Sequence, residues 1–233
     1  MRCGGGDRRG AAWAVVGATA AIAPRALRAL PTKPNHRGKP VPFPAGLVAA
    51  VMSIATAPSA LSAGVAVLGL LDDLADDEPR GLRGHITAGR LTTGHLKAVG
   101  TAALAAATTR DAKHTAVITL VTHLFNVLDL RPGRAVKVFA AVLALTGDRA
   151  AREHAAPLLV IGAYDVRERA MLGDTGATLL GAMAGQSLPP RRATIAVLAA
   201  ITLLAEVTSL TALIDRVPPL WALDWLGRSD PYA

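Results

Sequence analysis

The chain is poor in the residues that staple or solubilise small proteins. Its one cysteine, Cys3, excludes a disulfide framework and a metal–thiolate site. Aromatic residues make up 3% of the 233 positions, and no Lys/Arg run is interleaved with stacking side chains. The net charge of +8 therefore does not point to nucleic acid. Charge itself is scarce, 18% against roughly 25% in an ordinary soluble domain. The six histidines show no zinc-ligand spacing, and no internal repeat divides the chain.

Apolar residues are what the chain has in abundance, 52% with a mean hydropathy of +0.38. They come in blocks rather than at one-face spacing, the pattern of helices buried all round. Nine segments stand out, at about 11–30, 44–57, 59–72, 92–108, 115–130, 135–147, 155–166, 174–188 and 193–214. The expectation is an all-α polytopic membrane helix bundle of about nine transmembrane segments. It forms a single integral-membrane domain over 1–233, with a short tail at 215–233. A soluble alanine-rich bundle is the alternative. WAVVGATAAIAP runs into a basic loop without a cleavage site and reads as a first membrane segment, not a leader. Several segments are short, since thirteen helical residues rise roughly 20 Å against a hydrocarbon core of about 30 Å.

If the segments alternate across a bilayer, one face collects fifteen of the 25 Lys and Arg residues and twelve of the 17 carboxylates. The basic excess marks that face as cytoplasmic. Three stretches carry carboxylates to its border: LGLLDDLADD with Asp72 and Asp73, HLFNVLDL with Asn126 and Asp129, and MLGDTG with Asp174. Crowded carboxylates at a membrane edge repel and lose hydration, and a divalent cation relieves both. Mg²⁺ takes one or two carboxylates plus phosphate oxygens. Gly173 and Gly176 allow close backbone approach, and the helix after them directs its first N–H groups at an anion. A Mg²⁺-bound diphosphate at that helix start is the sharpest reading. Each stretch also has a plainer one: Asp174 as an N-cap, DDLADDE as a solvated loop, and Asn126 with Asp129 as an interhelical pair.

Arg131, Arg134 and Lys137 are three apart and would share a stripe on a continuing helix, facing phosphate oxygens or anchoring at the interface. Lys97 lies within an apolar segment and must snorkel or pair with a carboxylate or phosphate. His36 and His85 fall in cytoplasmic loops, whereas His95 and His123 read as helix-packing polar residues.

Together these stretches resemble the polyprenyl-phosphate N-acetylhexosamine-1-phosphate transferase superfamily. LGLLDDLADD looks like its glycine–hydrophobic–DD motif, HLFNVLDL like its N-x-x-N-L-x-D-G loop, and MLGDTGA like its M-G-D-T/S-G motif. NHRGKPVPFPAG looks like its first cytoplasmic loop, so the resemblance covers roughly 31–185 in order. It implies a bacterial, multi-pass plasma-membrane enzyme that uses Mg²⁺ or Mn²⁺, as a monomer or homodimer. The reaction would move a sugar-1-phosphate from a UDP-sugar to a polyprenyl phosphate and release UMP, in cell-envelope glycan synthesis. The resemblance makes Asp72 and Asp73 a catalytic pair acting on the lipid phosphate and Asp174 the metal ligand. Asp129, counted with the catalytic carboxylates, and Asn126 would organise the nucleotide-diphosphate site. Lys97, Arg131, Arg134, Lys137, Gly173 and Gly176 would complete the binding surface.

The chain departs from that pattern in three places. Pro132 stands where the family has a second aspartate, and YDVRERAM replaces the asparagine- and proline-rich approach to M-G-D. About twenty residues follow the ninth segment, without the family's histidine-bearing last loop and tenth helix. A second expectation follows: a catalytically inactive relative that binds polyprenyl-phosphate lipid or a membrane partner.

Overall fold

The computed structural model describes residues 5–75, 92–147 and 149–228. Much of the acidic and basic loop after Asp73, including Arg80, Arg83, His85 and Arg90, lies outside them. The fold is all-α, 76% helical, with eleven helices among the described residues. They are α1 (Gly5–Arg28), α2 (Gly46–Thr56), α3 (Ala60–Leu74), α4 (Thr93–Thr109), α5 (Ala112–Leu128) and α6 (Arg134–Thr146). Then come α7 (Arg149–Val166), α8 (Gly173–Ser187), α9 (Arg192–Val207), α10 (Leu210–Arg216) and α11 (Pro218–Trp225). A two-stranded antiparallel hairpin, β1 (Thr32–Pro34) and β2 (Pro40–Pro42), occupies the loop after α1 and pairs Lys33 with Val41.

Eight of the nine apolar segments coincide with single helices. The ninth does not: 193–214 is α9 and α10, bent by 97° at the break near Thr208. The stretch after Arg216, expected as a plain tail, forms α11 and folds back onto α6. Caps explain several helix starts. The side chains of Ser59, Thr92 and Asp111 accept from backbone N–H groups in the first turns of α3, α4 and α5.

At the centre stands α8, buried from Gly173 to Gly185 except at Asp174 and packed by α2, α3, α5, α6 and α7. Its small residues make that position possible. A Cβ on Gly181 would lie 2.6 Å from the Thr122 Cα, and one on Gly185 would lie 2.7 Å from the Ile118 Cα. The backbones of α5 and α8 therefore nearly touch, the geometry that small residues four apart permit. Around this axis, α1 lies against α2 and α7, α4 bridges α3 and α5, and α9 lies outside α5 with no buried residue. Among the described residues no single helix is long and apolar enough to cross a membrane, although α9 and α10 together meet that test as a bent pair.

Two glycine substitutions should move stability in opposite directions. Gly181→Val inserts a branched side chain between touching backbones and is expected to cost about 1–3 kcal/mol, seen as a lower Tm. Gly17→Ala, where no heavy atom lies within 4 Å of the added Cβ, should raise Tm through helix propensity of up to ~1 kcal/mol.

Candidate active site

Alternating helix directions bring the C-terminal ends of α3, α5 and α7 and the N-terminal ends of α4, α6 and α8 to one end of the bundle. There Lys97 of α4 gathers the sequence motifs. Its ammonium donates to Asp72 Oδ2, to Asp174 Oδ1 at 2.5 Å and to Asn126 Oδ1 at 3.1 Å. Those three acceptors use all of its protons. The second Asp72 oxygen accepts from the Thr93 hydroxyl, and Thr178 donates to Asn126 Oδ1 at 3.2 Å. Asn126 is oriented in turn by its own amide, which donates to the Thr122 carbonyl at 2.8 Å. Residues 72, 126 and 174 thus meet at a single cation although as many as 102 positions separate them.

Neighbouring Asp73 does something different. One residue along a helix turns the side chain by about 100°, and Asp73 points under the start of α8. It accepts from Asp174 N at 2.7 Å, Thr175 N at 2.8 Å and the Thr175 hydroxyl at 2.5 Å, and the residue is 5% exposed. Leu172, the residue preceding α8, offers no side-chain cap, so a carboxylate from another helix caps it. The sequence reading directed those first N–H groups at a ligand anion; two of them are spent on Asp73 instead. The DD pair is therefore split, with Asp72 in the cleft and Asp73 beneath it.

The glycines of MLGDTG also face protein. Gly173 has φ +75°, and a Cβ there would lie 2.8 Å from Asp73 Oδ1 and 2.9 Å from the Phe43 ring. A Cβ on Gly176 would strike Leu172, and one on Gly46 would lie 2.3 Å from Gly176 N. They let the MLGD turn seat against α2 and α3 rather than open space for a ligand. Backbone bonds finish the seam: Ala45 and Gly46 donate to the Met171 and Leu172 carbonyls, and Met171 N donates to Pro42 O.

Asp129 follows α5 and lies within electrostatic reach of Asp174, Asp73 and Lys97. Among the described residues nothing donates a hydrogen bond to its carboxylate, nor to Asp174 Oδ2, and the Asp174 side chain is 39% exposed. No group of three or more His, Cys, Asp or Glu among the described residues is arranged to hold a metal ion. The two carboxylates with lone pairs to spare nonetheless match the one or two that Mg²⁺ takes when phosphate supplies the rest.

The Arg131–Arg134–Lys137 stripe does not form. Gly133 takes a left-handed turn (φ +78°), so α6 begins at Arg134 and Arg131 stays in the loop before it. Arg134 is buried and pairs bidentately with Asp224, Nε at 2.7 Å and Nη2 at 2.9 Å, while Nη1 reaches Thr211. Lys137 donates to the carbonyls of Leu223 and Asp224, and Arg228 donates to Asp224 at 2.8 Å. Burial acts to raise the Asp224 carboxyl, but the Arg134 hydrogen bond and charge, with Arg228 and Lys137, hold it below its ordinary 3.8.

Sequence reasoning missed Thr93, Thr175 and Thr178, which orient the acidic side chains, and it missed Asp165 and Asp224. Asp165 accepts from Gly133 N at 2.7 Å and Leu172 N at 3.1 Å, tying the loop before α6 to the turn before α8. The threonines beside the motif aspartates were a usable signal; Asp224, in a tail that reads as solvated, gave none. The chain matches no known family, no curated protein and no solved structure.

Two stability outcomes follow. Asp73→Ala removes a cap and should cost about 1–2 kcal/mol, more than Asp72→Ala, in denaturant unfolding. Asp224→Asn leaves Arg134 buried without its counter-charge and should cost about 3–5 kcal/mol near neutral pH. Because the folded Asp224 pKa is depressed, its contribution is complete above 3.8 and is lost as pH falls through the folded value. The Tm gap between wild type and Asp224→Asn should therefore close only below that pH.

Proposed function

We propose that the chain is an integral-membrane glycosyl-1-phosphate transferase. It would act at the cytoplasmic face of a bacterial plasma membrane, moving a sugar-1-phosphate from a UDP-sugar to a polyprenyl phosphate. The observation that carries this reading is the meeting of Asp72, Asn126 and Asp174, each from a different motif, at Lys97, with Asp129 beside them.

The membrane setting is supported by apolar side chains turned outward. Leu96, Val99, Val67, Leu71, Leu203 and Val207 are 45–69% exposed, on α3, α4 and α9. Water would penalise that surface, while charged groups lie towards the two ends of the bundle, Asp72, Lys97 and Asp174 at one and Arg110, Asp111 and Lys113 at the other, as at the two edges of a bilayer. Helices of fifteen to seventeen residues rise roughly 22–26 Å, a mismatch that local thinning of the bilayer accommodates. An apolar groove of about 680 Å³ between α3 and α4, lined by Gly64, Leu68, Gly100 and Leu104, also supports an isoprenoid substrate. It begins one turn from Asp72 and Lys97, so a lipid with its phosphate at the lysine would lay its tail there.

In the reaction, an oxygen of the lipid phosphate forms a bond to the sugar-linked phosphorus of the UDP-sugar. The bond from that phosphorus to the bridging oxygen breaks, and the oxygen leaves with UMP. Asp129 and the free Asp174 oxygen would hold Mg²⁺, which when bound neutralises diphosphate charge and stabilises the leaving group. Lys97 draws the lipid phosphate towards the cleft, and Asp72, kept in place by Thr93, orients its nucleophilic oxygen or takes a proton from it. Asn126 fixes the lysine, while Asp73 keeps Asp174 at the helix start. A non-catalytic lipid-binding protein is the second reading. It is favoured by the closed Lys97 network, in which Asp72 and Asp174 already share a cation.

Membranes carrying the chain, supplied with polyprenyl phosphate, Mg²⁺ and a panel of UDP-sugars, should release UMP. Asp174→Ala and Lys97→Met should each reduce the rate by about a hundredfold or more. Lipid binding without UMP release from any donor would establish the second reading instead.

A further inference from the structure

Among the described residues, basic side chains crowd around α11. Arg37 and Arg228 lie over the Trp225 ring, at 6.0 and 5.6 Å from its centroid, and Arg131 acts electrostatically on both His36 and Arg228. Arg134 and Lys137 come up from α6 to the same arm. Among the described residues three carboxylates lie among these five cations. Asp224 is shared by Arg134 and Arg228, Glu168 takes Arg37 at 3.1 Å, and Asp165 is occupied by two backbone N–H groups.

Arg228 is where the account fails to close. Its side chain is 3% exposed, and its Nε is buried with no hydrogen-bond partner among the described residues. A buried guanidinium N–H without an acceptor is costly. The crowding is visible in its neighbours as well. Burial first, then the charges of Arg131, Arg37 and Arg228, hold His36 below its ordinary value, with Glu168 opposing them. Burial likewise lowers Arg228, and Arg134 and Arg131 add to it against Asp224 and Glu168.

We propose that Arg131, Arg228 and Arg37, walled by Trp225, form a site for a phosphate-type anion, separate from the Lys97 cleft. Such an anion supplies the acceptor that the buried Nε lacks, and arginine forks suit its oxygens. The same chemistry serves a free diphosphate or an anionic lipid headgroup at the membrane surface. This site goes beyond the transferase reading and does not require turnover.

The test uses the full chain in nanodiscs with EDTA present, so that no divalent cation contributes. In phosphatidylcholine discs, inorganic pyrophosphate is titrated while tryptophan fluorescence and Tm are followed. In phosphatidylglycerol discs, Tm is measured without pyrophosphate. A free-anion site gives a saturable pyrophosphate response in the neutral discs, and a headgroup site gives a higher Tm in the anionic discs. In either case Arg131→Gln, which leaves the Asp224 pair intact, and Arg228→Lys, which keeps charge but removes Nε, should weaken the response about tenfold. Asp72→Asn, at the Lys97 cluster, should leave it unchanged. No response in either disc, a response equal in both arginine variants and wild type, or one lost in Asp72→Asn would overturn the proposal.

Discussion

The bond from Asp73 to the start of α8 governs the rest of the site. A central helix needs its free N–H groups satisfied, and α8 begins where no residue of its own can do so. By accepting from Asp174 N, Thr175 N and the Thr175 hydroxyl, Asp73 fixes α3 against α8 in rotation and height. Asp72, the next residue back, is then swung towards α4, and Asp174, the next after the capped turn, faces it across Lys97. One buried carboxylate thereby positions two others.

Much of this order can be read from the chain, and the remainder fails for identifiable reasons. Apolar blocks and the break at Pro58 delimit six helices within about three residues, whereas α1 and α7 start six residues before their blocks, and Pro157, which reads as a break, lies inside α7. The same evidence cannot reveal the bend at Thr208, because Leu203, Leu204 and Leu210 on either side are equally apolar. The convergence of Asp72, Asn126 and Asp174 follows from counting alternating segments, since each lies at a helix border. What alternation cannot supply is rotation about a helix axis. It cannot say that Asp73 turns under α8, that Gly173 meets Asp73 rather than open space, or that Arg134 is buried. Those depend on distant partners, and Asp224 lies ninety residues from Arg134.

Charge is handled in two styles at the same end of the molecule. Around Lys97 one cation serves two carboxylates, and the surplus is negative once Asp129 is included. Around Asp224 one carboxylate serves two arginines, and the surplus is positive. Asp165, accepting from both Gly133 and Leu172, belongs to the seam between them. The two clusters thus balance charge in opposite senses, side by side.

The pairing of Arg134 with Asp224 also bears on how the molecule is built. During synthesis the arginine leaves the ribosome ninety residues ahead of its partner. Until α10 and α11 exist, the first turn of α6 holds a guanidinium without the carboxylate that neutralises it, and burying such a group unpaired is costly. The sixth helix therefore reaches its final seat only after the chain beyond it has been made, and the middle of the bundle is completed from its far end.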